Sequence, residues 1–106
     1  MHSHPTLVAD TDGVIVFWSA SAAQAFGHGA EAAIGQTLDL IVPPDFRPAH
    51  WRGFRAAMQS REAAVEGLPT PFPVQYADGR IVERVGRLAL VRSPGGGVIG
   101  AMVVFD

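Results

Sequence analysis

The chain alternates short apolar runs with polar, glycine-bearing turns. Residues 7–9 are apolar, Asp12-Gly13 is a strong hairpin turn signal, and residues 14–18 are β-branched and aromatic, which predicts a first hairpin. The stretch SASAAQAFG carries the alanines of a short helix, with Ser19 placed to cap it and Gly27 to stop it. GAEAAIGQTL allows another helical turn ended by Gly35, and the chain then breaks at Pro43-Pro44. Asp45 follows as the cap of a longer helix over residues 46–60, in which Pro48 is tolerable because it falls in the first turn. Beyond VEGLP, three strands are expected over 72–76, 81–91 and 98–105, joined by the turns ADGR and SPGGG.

Strands and helices segregated in this way predict an α+β fold, an antiparallel sheet covered by helices on one face. With 106 residues the chain is expected to be a single domain, 1–106, around one modest core.

Charge and composition then narrow the functions. Eight arginines, no lysine and ten acidic residues give a net charge of -2, and the arginines alternate with acids and alanines. Nucleic-acid binding needs a clustered basic excess, so it is set aside. The absence of cysteine excludes disulfides, thiolate metal sites, thiol nucleophiles and covalent attachment through sulfur. No apolar run approaches the roughly 20 residues needed to cross a bilayer, and the start lacks the pattern of a secretory signal, so no membrane association and a cytoplasmic location are expected.

The candidate chemistry centres on His50. On a helix of 3.6 residues per turn, Phe46, His50, Phe54 and Ala57 share one narrow stripe while Arg52 and Arg55 point away. An inward imidazole costs about 1–3 kcal/mol for each polar group left unpaired, so another residue, a carbonyl or a metal must satisfy it. Two readings follow, a histidine satisfied within the core and a histidine that holds a ligand. Among the other histidines, His28 reads as an exposed turn residue and His2-Ser3-His4 as a solvated end. Gly27-x-Gly29 lacks the strand that must precede a dinucleotide fingerprint. Trp18 and Trp51 read as packing residues, and Trp51, off the stripe, has as its alternative an exposed anchor for a partner. No catalytic constellation stands out, since Ser19 and Ser21 have no base partner, so a sensor or binding module is expected rather than an enzyme.

The order of elements, together with Asp12-Gly13, Trp18, Ala22, Phe26-Gly27, Ile34-Gly35 and Pro43, resembles a PAS domain over nearly the whole chain. Ser19 replaces the asparagine usual after the tryptophan. The resemblance implies a five-stranded antiparallel sheet cradling short helices and one longer helix, used as a sensory or dimerisation module.

The words RPAH and, further on, VEGLP resemble haem-binding PAS sensors of the direct oxygen sensor phosphodiesterase type. That resemblance implies haem b held by His50 as iron ligand, between the long helix and the sheet, with Phe54, Leu68, Phe72, Leu88 and Met102 in the pocket wall. The signal would be a diatomic gas or a redox change, felt at Leu88 and Met102. This chain has Leu68 where those sensors place a methionine ligand and Thr70 where they place an arginine, which implies a vacant sixth position. The alternative is a flavin, another small molecule or no ligand, the domain then acting in dimerisation. Light-sensing flavin domains that need a cysteine are excluded. The family further implies a homodimer through the sheet face or termini, and an output domain or a histidine kinase or cyclase partner.

Overall fold

The computed structural model describes residues 3–106, and the expectation for His2 lies outside them. Strand β1 (Thr6–Asp10) turns at Asp12-Gly13 into β2 (Ile15–Trp18), the first hairpin read from the sequence. Gly13 is needed twice over: its φ of 78° is left-handed, and any Cβ there would run into the ring of Trp51. Helix α1 (Ala20–Phe26) starts where Ser19 accepts a hydrogen bond from the Ala22 amide and ends at Gly27. Helix α2 (Ala30–Ala33) is a single turn.

Two 3₁₀ turns follow, at Leu38–Leu40 and Pro44–Phe46, and the second leads directly into α3 (Arg47–Ser60). The start of α3 differs from expectation. Asp45 lies inside the 3₁₀ turn rather than at the cap, and the capping position is Phe46, with no side-chain bond to the helix. Pro43-Pro44 fixes this, because Pro44 begins the 3₁₀ turn and takes Asp45 into it. Pro48 does fall in the first turn of α3.

Strands β3 (Thr70–Gln75), β4 (Ile81–Arg92) and β5 (Val98–Phe105) complete an antiparallel sheet in the order β2-β1-β5-β4-β3. This is the five-stranded α+β arrangement expected. Strand β3 begins at Thr70, two residues earlier than read, and contains Pro71 and Pro73. Prolines are compatible with a strand only where their missing N–H faces away from a neighbour, and β3 is an edge. Its Gln75 amide, on that same outward side, donates to the Ile41 carbonyl at 2.8 Å.

Register fixes which side chains face the helices. Leu7 pairs with Trp18 and Val103, and Leu88 pairs with Val103, so these four share the inner face. Val8, Phe17, Met102 and Ala89 form the matching row on the outer face. The core gathers under α1, where Phe26, 1% exposed, meets Trp18, Tyr76 and Phe105 edge-on at centroid distances of 5.8, 5.6 and 5.2 Å. Helix α3 is different. None of its residues is fully buried, because a cavity separates it from the sheet.

Candidate functional site

Small residues open this cavity. Ala9 and Ala101 on the sheet, and Ala49, Gly53 and Ala57 on α3, leave a space of about 590 Å³ between helix and inner sheet face. That volume lies within the range of small-molecule and cofactor sites, roughly 300–1,000 Å³. The wall is almost wholly apolar. Among the described residues that line it, Glu62 is the one charged group other than a titratable histidine, and no arginine takes part.

The histidine is His50. Its ring lies edge-on to Trp51, 4.9 Å between centroids at 74°, and stacks near Phe54 at 6.0 Å and 30°. Burial lowers the pKa of the imidazole below its ordinary value, with the Asp39 carboxylate opposing. The ring is therefore neutral near pH 7, the form that has a nitrogen lone pair to offer a metal or a donor. Its Nδ1 is buried and has no hydrogen-bond partner among the described residues. Such an orphaned polar atom is a rare expense in a native fold, and it belongs to a residue that lines the cavity.

The surroundings hold His50 from one side. Trp51 Nε1 donates to Asp39 Oδ1 at 2.8 Å, and Arg47 donates from Nε to the Val42 carbonyl at 3.0 Å and from Nη2 to the Asp39 carbonyl at 3.1 Å. Trp51 is thus a half-buried packing residue that braces the helix start rather than an exposed anchor, because its indole N–H finds the Asp39 carboxylate on the 3₁₀ turn at Leu38–Leu40. Trp18 is the buried packing residue expected, its Nε1 bonded to the His28 carbonyl at 2.9 Å, which leaves His28 half-buried rather than exposed.

Of the wall residues inferred from the sequence, His50, Phe54, Phe72 and Leu88 line the cavity. Two do not. Leu68 is 55% exposed and outside it, because Gly67, at φ 77°, bonds its amide to the Leu88 carbonyl and turns the next residue outward. Met102 sits on the outer sheet face, one residue out of phase with Ala101, Val103 and Phe105, which do line the space. The Thr70 hydroxyl is engaged by the Leu68 carbonyl at 2.9 Å. Leu7, Ile41, Leu90 and Val103 belong to the wall and were not singled out. In β5 both alternate sets are apolar, so only pairing with β1 and β4 tells inner from outer.

Among the described residues no group of three or more metal-ligating side chains comes together. His4 Nδ1 lies 3.0 Å from the Phe105 carbonyl. No described helix is long and apolar enough to cross a membrane.

An antiparallel sheet in the order β2-β1-β5-β4-β3, with helices enclosing a cavity on one face, defines a class of sensory module. The PAS fold matches residues 3–106, and the chain belongs to the PAS family. It is 32% identical over 73 residues to the oxygen sensor protein DosP of Escherichia coli, a stretch that is 69% of this chain but only 9% of that protein's length. Its fold is similar to a PAS domain of a Colwellia psychrerythraea protein, with a TM-score of 0.80, 18% identity and coverage of 97% of this chain and 84% of the other. It is also similar to the PAS domain of the Cronobacter turicensis quorum-sensing receptor RpfR in complex with C12:0, with a TM-score of 0.78, 14% identity and coverage of 100% and 94%.

Proposed function

We propose that this PAS module is a sensor that holds haem b in the cavity under α3, with His50 as the protein ligand to iron. The observation that carries the reading is a neutral, cavity-lining imidazole that has an orphaned nitrogen, in a wall that offers almost nothing else polar. A haem supplies four nitrogens of its own and asks the protein for one good ligand and an apolar envelope, which suits a site with a single histidine. When bound, it would supply a ferrous centre able to take up a diatomic gas. His50 would hold it, Phe54 would steady the imidazole, and Phe72 and Leu88 would keep water out. Leu68, which lies outside the cavity, and Thr70, whose hydroxyl is already bonded, favour a site without a second protein ligand. The partial match to an oxygen sensor points the same way.

The test is a visible spectrum of the purified protein before and after adding haemin, repeated with His50→Ala. A sharp Soret band that is lost in the variant supports the reading, and a band indifferent to the substitution, or none, ends it.

A second reading is a dimerisation module that binds an uncharged apolar molecule or nothing. It draws on the outer sheet face, where Phe17 is 48% and Val85 38% exposed beside Val8, Met102 and Val104. A colourless protein whose mass rises with concentration would favour it. Flavin fits less well, because the polar edge of its ring would meet only His50, Ser60 and Glu62 as polar side chains.

A further inference from the structure

Strand β3 pairs with β4 only as far as Gly86, which leaves the edge of β4 beyond that residue without a strand. The connector of residues 61–69 covers it. Gly67 donates its amide to the Leu88 carbonyl at 2.8 Å, and Arg87 Nη1 donates to the Gly67 carbonyl at 3.0 Å. Glu66 does the rest. Its Oε2 accepts the Leu90 amide at 2.9 Å and Arg92 Nη1 at 3.1 Å, while Oε1 accepts Arg92 Nη2 at 3.2 Å. Arg92 Nη2 also reaches the Arg61 carbonyl at 3.2 Å. Arg92 and the Leu90 amide together keep the Glu66 carboxyl below its ordinary pKa, so the latch is ionised.

Two features make this connector movable. Both ends of the segment from 61 to 67 carry left-handed backbone: Arg61 at φ 63°, the sole non-glycine residue with positive φ among those described, and Gly67 at φ 77°. Such terminal positions are where hinges absorb a change of dihedral angle. Between them, Glu62, Ala63, Ala64 and Val65 form the cavity wall at this end, and since none of the four is buried they bury little apolar surface. The wall at this end is therefore held by charge and hydrogen bonds at Glu66 and Gly67 more than by packing.

We infer that residues 61–67 form the gate of the cavity and that Glu66, clasping Arg92 and the Leu90 amide, is its latch. The inference rests on the cavity being a ligand site, not on which ligand fills it. A gate sets entry and release together, because both pass through the same opened state, and leaves affinity nearly unchanged.

The experiment compares the wild type, Glu66→Gln and, as a control ion pair on the β3–β4 turn, Asp78→Asn. Amide hydrogen exchange is read at Gly67 and Leu90, and stopped-flow uptake and release are read with the neutral apolar dye N-phenyl-1-naphthylamine. Glu66→Gln is expected to speed exchange at both amides by about two- to five-fold, the size of losing one exposed pair, and to speed dye entry and release by a similar factor. High salt should do the same to the wild type and little to the variant. Unchanged amide exchange, a faster release with weaker binding and unchanged entry, or a dye that enters neither protein overturns the inference. A haemin spectrum indifferent to His50 would end the haem reading without altering these rates.

Discussion

Trp51 donates its indole N–H to Asp39 at 2.8 Å while its ring covers Gly13, so one side chain ties the start of α3 both to the 3₁₀ turn at Leu38–Leu40 and to the first hairpin. The same ring meets His50 edge-on, so the brace backs the cavity histidine without itself lining the cavity. Trp51→Phe keeps most of the ring and removes the donor. It is expected to cost about 1–2 kcal/mol, read as a lower urea midpoint, since the half-exposed Asp39 recovers some water. Gly13→Ala should cost more, at least about 2 kcal/mol, because the left-handed backbone and the Trp51 ring both oppose a methyl group.

Acid should weaken the ligand-free protein through His50. Burial lowers its pKa in the folded state, so the unfolded chain binds the proton more readily. The associated stability is fully present above the unfolded value of about 6.5 and is lost as pH falls through the lower, folded one. Urea midpoints measured between about pH 5 and 8 should fall on the acid side, and His50→Leu should flatten that limb. At neutral pH His50→Leu should hold or raise stability, because it removes an orphaned nitrogen.

Ala57 lines the cavity from α3 and is half-buried. Ala57→Leu places new methyl groups in space that is already there, so it is expected to raise the melting temperature of the ligand-free protein and to reduce uptake of any cavity ligand. Calorimetry with and without haemin reads both effects. Equal haemin uptake by the variant would show that the ligand lies elsewhere.

Phe26 anchors the core away from the cavity. Phe26→Ala should cost about 3–5 kcal/mol, since three aromatic neighbours lose a partner and the buried site cannot close around the gap. The unfolding free energy from urea titration measures it.

The hairpins, α1 with its Ser19 cap and the extent of α3 at Ser60 were legible because each is set by local chemistry: an Asp-Gly turn, a capping hydroxyl, an apolar stripe. His50 on the cavity wall was legible for the same reason, helical periodicity. Met102 was not, because Val98–Phe105 is apolar on both faces and only pairing with β1 decides which face is inside. Leu68 was misplaced because its direction depends on a non-local bond between Gly67 and Leu88. The turn at Leu38–Leu40 carries a weak local sign, Thr37 accepting the Asp39 amide at 3.4 Å, which is easily lost beside the prolines that follow.

Strand β3 offers an outer rim almost without donors. The amides that face away from β4 belong to residues 71, 73 and 75; the first two are prolines, and the third is spent on Ile41. At the opposite rim, Ile15 is taken up by residues 35 and 36, with Ile15 donating to the Gln36 carbonyl at 2.8 Å and accepting from the Gly35 amide at 2.9 Å. A second copy therefore finds few donors along the β3 rim to extend. Molecules that met instead over the broad outer face, at Phe17 and its neighbours, would be separated from the cavity-facing layer by one thickness of sheet.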